Sequence, residues 1–465
     1  MIELTLAEVA AAVGGVLADV PDPDAVVTGP VTVDSRRVAP GGLFVAVAGA
    51  HHDGHDFAAT AVASGAVAVL AARPVGVPAV VVGDVVAGLG RLAGTVRRRL
   101  PGLHVVGITG SSGKTSTKDL LAQLLERLGP TVAPPGNYNN EIGLPLTVLA
   151  ADPTTRFLVL EMGARGLGHI RELTDIAVPD VGVVLNVGTA HVGEFGSQES
   201  IAVAKGELVE ALPERGLAVL NADDPLVRPM AGRTAARVVR YGESDGADVR
   251  AVDVALDERG RPRFELISAA GRAVVAMRLV GEHQVSNALA AAAVALDAGA
   301  PLDVVAEALT EAEPRSRWRM EVVERPDGVT VVNDAYNANP ESMRAALKAL
   351  VALAGDRRSW AVLGEMGELG AEHIAAHDTI GRLAVRLNVD KLIVVGAGAK
   401  AMHLGAGMEG SWDDESVFVT DVEAAVALLR EQLRPGDVVL VKASRAAGLE
   451  RVAAALLADR EDGAA

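Results

Sequence analysis

Short apolar runs alternate with segments of helical period through most of this chain. Val105 to Thr109 is an unbroken apolar or β-branched run, Gly110-Ser111-Ser112-Gly113 follows, and beyond Lys114 apolar residues recur at Leu120, Leu121, Leu124 and Leu125. That order predicts a buried strand, a glycine turn and a helix. Downstream, the same alternation predicts strands over 157–160, 181–185 and 217–220, helices over 167–176, 201–212, 284–298 and 302–312, and a small antiparallel set over 248–277. The last third predicts strands over 320–323, 329–333, 360–363, 391–395 and 438–441, with helices over 341–353, 373–387, 422–433 and 448–457. The first hundred residues read as short strands and helices rich in glycine, with a strand over 43–47 flanked by polar turns.

Breaks at Pro101-Gly102 and Glu313-Pro314 divide the chain into 1–101, 102–314 and 315–465, and 465 residues suit about three domains. The expected fold is α/β throughout. A small α/β N-terminal domain precedes a central parallel-sheet domain built on the glycine loop, and a Rossmann-like C-terminal domain follows. That last domain opens without a dinucleotide fingerprint. Its first strands lead instead into NDAYNANPESM, whose Asn, Asp and Tyr are hydrogen-bonding groups at a strand end. Such a domain supplies ligand contacts by closing over the central one.

The glycine loop brings in the chemistry. Backbone N–H groups of such a loop, with the positive end of the following helix, cradle phosphate oxygens; Lys114 is in reach of β- and γ-phosphates, and the Thr115 hydroxyl suits Mg²⁺. The usual phosphate-loop pattern has Gly where this chain has Ile108, with Gly110 inside the loop instead. A chance glycine turn is the alternative, but Gly-Lys-Thr between strand and helix favours a nucleoside triphosphate site.

Parallel sheets bind ligands beyond the carboxyl ends of their strands, where Glu161, Asn186 and His191 follow apolar runs. A hydroxyl, a carboxylate and an imidazole on one edge could serve two Mg²⁺ ions. Taken singly, Glu161 could be a helix N-terminal carboxylate and His191 a loop histidine. Lys205 stands beside the apolar side of a helix (Ile201, Val203, Ala204, Leu208, Val209), ordinarily a place for a snorkelling surface lysine. Were it buried, desolvation would lower its pKa and free the amine for modification. Ser35-Arg36 and the His51, His52 and His55 loop could bind a nucleotide sugar, although Asp-Ser-Arg and Asp-Gly are also ordinary turn residues and the histidines could be merely solvated.

Composition narrows the classes. Half the residues are hydrophobic but only 3% are aromatic, so the core must rest on small aliphatic side chains. A net charge of −17 leaves no footprint for nucleic acid or acidic membranes, and anionic ligands then need locally placed cations or metal. There is no cysteine, which excludes disulfides, thiolate metal sites and Cys nucleophiles. Neither a signal peptide nor a long uncharged apolar stretch is present, so a soluble, cytoplasmic protein without membrane insertion is expected.

In chain order the motifs DSRRVAPGGLFVAVAGAHHDGHDF, TGSSGKTSTKD, PGNYNNEIGLPLTVL, EMGARGLGHI, NVGTAHVGEFGS, AKGEL, NADDP, GEHQVSNALAA, WRMEV, NDAYNANPESM, LGEMGELG and VKASRAAGLE resemble the Mur ligases, ATP-dependent amide ligases of peptidoglycan precursor synthesis. The similarity spans essentially the whole chain. It implies that Thr109, Gly110, Ser111, Ser112, Gly113, Lys114, Thr115 and Ser116 bind the triphosphate of ATP, with Asn287, Arg319 and Asp334 as further nucleotide contacts. Thr115, Glu161, His191 and a carbamylated Lys205 are the implied ligands of two Mg²⁺ ions, and Lys114, Lys205 and His191 the implied catalytic groups. Ser35 and Arg36 match the UDP-binding part, while Asn137, Asn139, Asn140, Arg165, Asn337, Asn339 and Arg445 match positions that meet peptide substrates. Branches that add a diamino acid usually carry an Asn-Pro-Arg signature where this chain has LGEMGELG. The resemblance therefore implies a monomer that adds D-alanyl-D-alanine to a UDP-N-acetylmuramoyl-tripeptide. Ala335 and Ala443 depart from the Ser and Gly common in the family. A nucleotide-driven binding switch is the rival class, but the nearest match to its Asn-Lys-x-Asp motif, Asn221-Ala222-Asp223-Asp224, lacks the Lys.

Overall fold

A computed structural model describes residues 1–49, 52–189 and 192–458. Three larger sheets follow one another along the chain. The first has five strands in the order Val16–Ala18, Ala79–Val81, Ala68–Ala71, Leu43–Val45 and Val31–Thr32. Helix Val85–Arg99, capped by Asp84, ties this sheet to the next domain. Its Leu89, Leu92 and Val96 share one apolar core with Val105, Leu158 and Leu160 of the central sheet. Arg97 adds bonds to the Ala177 carbonyl (3.1 Å) and Asp180 (3.3 Å). Buried apolar surface and a multiply bonded guanidinium thus fix the first domain on the second.

The central sheet has nine strands, and His104–Thr109 lies inside it between Phe157–Glu161 and Val181–Val184, parallel to both. Its unbroken apolar run is buried on both faces, as a central parallel strand requires. Glu161 pairs in register with Ile108, and Val184 with Thr109, so the three strands end at one level. Beyond the parallel strands the sheet closes with the antiparallel set Val249–Leu256, Pro262–Ser268 and Gly271–Ala276. Helices Lys114–Glu126 and Gln284–Asp297 cover one face, with Leu120, Leu121 and Leu124 in the same core as Ala288, Ala291 and Ala292. Alanine on the facing helix lets the backbones approach closely, which is how a chain poor in aromatics packs here.

The third sheet has six strands in the order Glu321–Glu324, Thr330–Asn333, Val438–Lys442, Ser359–Leu363, Lys391–Val395 and Ser416–Val419, antiparallel only in the first pair. Helix Pro340–Ala354 follows strand Thr330–Asn333 after the connection 334–339. Asn339 caps it in a reciprocal box with Ser342, and Pro340 fills the first turn, where its missing N–H costs nothing.

The observed elements add to the expected ones. Strand Arg237–Gly242 carries arginines at exposed positions that break the apolar run. Helix Lys400–Glu409 holds Gly405 and Gly407, poor helix formers. The close packing of this helix on helix His373–Arg386 explains Gly405: a Cβ there would lie 2.4 Å from the Asp378 carbonyl. Glu161 is the last residue of its strand rather than the first beyond it. Among the described residues no helix is long and apolar enough to cross a membrane.

Candidate active site

At the carboxyl end of His104–Thr109 the chain turns through Gly113, whose φ of +81° is left-handed, into helix Lys114–Glu126. A Cβ at Gly113 would meet Asn287 Oδ1 at 2.6 Å, so conformation and space both require glycine. Asn287 itself accepts from Thr117 Oγ1 (3.2 Å) and donates to Gln284 Oε1 (3.0 Å). The loop is braced from the segment that follows the neighbouring strand Val181–Val184. Ser112 N–H donates to Asn186 Oδ1 (2.9 Å), Ser111 N–H to the Asn186 carbonyl (3.1 Å), and Gly188 N–H to Ser111 Oγ (2.9 Å). Lys114 Nζ folds back onto the Gly110 carbonyl at 2.5 Å. Ser116 borders a small cleft with Asp119, Gln284 and Arg319.

Glu161 is fully buried, and neither carboxylate oxygen has a hydrogen-bond partner among the described residues. Burial pushes its pKa up, while Lys118, Lys114 and Arg319 pull it down; the Thr115 hydroxyl, short of hydrogen-bond geometry, pulls the same way. An unpaired carboxylate beside a buried hydroxyl fits a hard cation with oxygen ligands. Lys205 is 5% exposed, so it is not the snorkelling surface lysine that its local sequence suggests. Burial, with the Lys114 charge added, holds its amine well below the ordinary lysine range. The Lys114 ammonium is lowered by burial too, against the opposing pull of Glu161. No group of three or more His, Cys, Asp or Glu that could hold a metal occurs among the described residues. His191, expected as a ligand, lies outside the described residues.

The C-terminal domain completes the site. Arg319 Nη2 donates to Thr115 Oγ1 at 3.3 Å, its Cζ lies 4.3 Å above the Tyr336 ring, and its buried Nε has no partner among the described residues. Trp318 (φ +60°) and Met320 (φ +51°) on either side are left-handed without being glycine, a strained backbone that aims Arg319 at the loop. Asp334 accepts from Met320 N–H (3.1 Å) and Lys442 Nζ (2.5 Å), and Lys442 also donates to the Asn337 carbonyl (2.9 Å). Tyr336 OH donates to Asn137 Oδ1 across the domain boundary. Asn339 gives its amide Nδ2 to the Ser111 carbonyl at 3.3 Å. A cleft of about 640 Å³ runs between the two domains, lined by His283, Ser286, Glu341, Arg344 and Lys348 among others.

Family models match three segments: Mur ligase family, catalytic domain, over 30–106; Mur ligase middle domain, over 108–295; and Mur ligase, glutamate ligase domain, over 318–445. The UDP-N-acetylmuramoyl-tripeptide--D-alanyl-D-alanine ligase of Mycobacterium tuberculosis is 56% identical, with 99% of this chain and 98% of that protein aligned. The chain belongs to the Mur ligase family. Among solved structures, MurF from Acinetobacter baumannii superposes with a TM-score of 0.88 at 30% identity over 98% of each chain. MurF from Thermotoga maritima in complex with ADP gives 0.80 at 33% identity over 94% of this chain and 99% of that one.

The contacts made by the other expected site residues of this Mur ligase lie outside the phosphate loop. Arg36 is exposed and bonds Asp34 through Nε (2.9 Å) and Nη2 (2.8 Å), in the short turn that contains Ser35. Asn140 braces the Ile142 and Gly143 N–H groups, the Asn139 carbonyl accepts from Gly163 N–H, and Arg165 and Asn337 are exposed. Arg445 lies 4.3 Å above the Trp318 ring and pairs with Glu450. His55 is no solvated loop histidine: it is buried, with Nδ1 against Asp53 and Nε2 accepting from Ala72 N–H. Tyr336 is the tyrosine expected to hydrogen-bond at the strand end, whereas Lys442, Trp318 and Glu341 carry no signal of their own beyond lying within the motifs VKASRAAGLE, WRMEV and NDAYNANPESM. Ala443 is accommodated by Gly364 opposite, where a Cβ would lie 2.8 Å from the Ala443 Cβ.

Proposed function

We propose that this Mur ligase joins D-alanyl-D-alanine to UDP-N-acetylmuramoyl-tripeptide while ATP is split to ADP and phosphate, giving the pentapeptide nucleotide of peptidoglycan precursor synthesis. The observation that carries this reading is the 56% identity, end to end, with a relative of that name. A carboxylate oxygen of the tripeptide attacks the γ-phosphorus and ADP leaves, which yields an acyl phosphate. The amine of the dipeptide then attacks the activated carbonyl carbon, phosphate departs, and an amide remains.

The site supports the following residue roles. The 109–116 loop and Lys114 neutralise the triphosphate, and Arg319 reaches the same phosphates from the C-terminal domain. Asn287 and Asp334, the latter held by Lys442, would be further nucleotide contacts. Thr115 and Glu161 fit Mg²⁺, with His191 and Lys205 as further ligands. The buried amine of Lys205, held well below the ordinary lysine range, suits addition to CO₂, which gives a carbamate anion and a released proton. Magnesium, when bound, withdraws charge from the phosphoryl oxygens. Residues 1–101 would hold the UDP moiety with Ser35 and Arg36, 102–314 the triphosphate, and 315–465 the dipeptide, with Asn137, Asn139, Asn140, Arg165, Asn337 and Arg445 towards the peptides. On this reading the enzyme works as a monomer in the cytoplasm.

The test is ADP release with UDP-muramoyl tripeptide and ATP. Strong dependence on D-alanyl-D-alanine, with little release on glutamate or diaminopimelate, is expected. Equal release with a single amino acid, or full turnover without any amine, overturns the assignment.

A further inference from the structure

Glu341 stands in the first turn of helix Pro340–Ala354, yet its carboxylate crosses into the central domain. Oε1 accepts two bonds from Thr189, one from the backbone N–H and one from Oγ1, both at 2.9 Å. The neighbouring Gly188 makes room: a Cβ there would lie 2.7 Å from Glu341 Cδ. Oε2 is buried without a partner among the described residues, which is an expensive way to gain stability alone.

Thr189 ends the segment that braces the phosphate loop. Asn186 bonds Ser111 and Ser112, Gly188 N–H donates to Ser111 Oγ, and Val187 N–H is held by Asp224 Oδ2 at 2.9 Å. Asn339, two residues before Glu341, reaches the Ser111 carbonyl directly. One helix end of the C-terminal domain therefore grips Ser111 by two routes.

We infer that Glu341 is a positioning residue, a latch through which docking of the C-terminal domain sets the 186–189 segment and, through Ser111 and Ser112, the phosphate loop. The inference rests on the ligase reading for its kinetic readout. Reacting groups displaced by about 1 Å can lose on the order of a hundredfold in rate, so the latch acts on kcat.

The experiment compares wild type with E341Q, E341D, E341A, T189V and the E341A/T189V double variant, measuring kcat and each KM for pentapeptide formation, with thermal melts alongside. E341A and E341D lower kcat about ten- to a hundredfold while KM for the muramoyl nucleotide moves less than about twofold. E341Q keeps kcat within about threefold, because its amide oxygen still accepts both Thr189 bonds. The double variant is no slower than E341A, since the two changes break one contact. A lowered melting temperature with kcat retained in E341A, E341Q as slow as E341A, or additive losses overturns the latch. Solution scattering with ADP separates the two readings. If wild type forms no pentapeptide, the ligase assignment fails, and the latch stands or falls on whether E341A is less compact than wild type.

Discussion

Two polar regions of this chain are built in opposite ways. The Asp34 to Arg37 turn satisfies itself: Asp34 takes the backbone and side-chain N–H groups of Arg36, which lowers its pKa to about 2, and Arg36 stays in solvent. The seam between the central and C-terminal domains leaves groups over. Both oxygens of Glu161, Thr109 Oγ1 and Arg319 Nε are buried without partners among the described residues. Buried polar atoms are normally paired, so a cluster of unpaired ones marks where a ligand supplies the missing partners. The turn can take its shape alone; the seam is chemically complete only when loaded.

Breaking the seam should cost most. Lys114→Ala is expected to lower kcat by about 10²- to 10³-fold, the usual loss on removing one charge-stabilising donor, with the circular dichroism spectrum unchanged. Retention of more than about a tenth of the activity would remove Lys114 from the phosphoryl transfer.

Glu161→Gln sharpens the comparison through stability. A carboxyl whose folded pKa lies above its unfolded one binds more protons when folded, so stability falls as pH rises from the ordinary carboxylate value through the raised one. Urea melts without magnesium should show that decline in wild type and a flatter profile in E161Q. Above the window E161Q should be the more stable by about 1–3 kcal/mol. Added Mg²⁺ should stabilise wild type and leave E161Q unmoved. A variant that still gains from Mg²⁺ would take Glu161 out of the ligand set.

The smallest effect belongs to the turn. Arg36→Ala removes an exposed ion pair, so the melting temperature should barely move and kcat should hold, while KM for the muramoyl nucleotide rises about tenfold from the lost charge on an anionic ligand. An unchanged KM would leave Arg36 as a turn residue only.

The strand, loop and helix around Lys114 could be read from sequence because their signals are local: a β-branched run, a glycine pair, a helical period. The placing of Glu161 beside that loop was legible for the same reason, since parallel strands end at a common edge. Burial was harder to read. Lys205 sits beside the apolar side of its helix, and only the packing of that helix on the sheet shows that the lysine is enclosed. His55 depends on Ala72, Asn186 on Ser112 and Asp334 on Lys442, partners separated by 17, 74 and 108 residues, which no local period reports. Glycine in helix Lys400–Glu409 lowers local propensity yet permits the helix–helix approach that stabilises it, so local and tertiary signals oppose each other there.

Oxygen tracing tests the central claim most directly. UDP-muramoyl tripeptide carrying ¹⁸O in its terminal carboxylate should yield, with ATP and D-alanyl-D-alanine, a product of pentapeptide mass and inorganic phosphate bearing an ¹⁸O atom from that carboxylate. Amide product with unlabelled phosphate would contradict activation of the acid by phosphoryl transfer, and phosphate release without amide product would contradict the ligase itself.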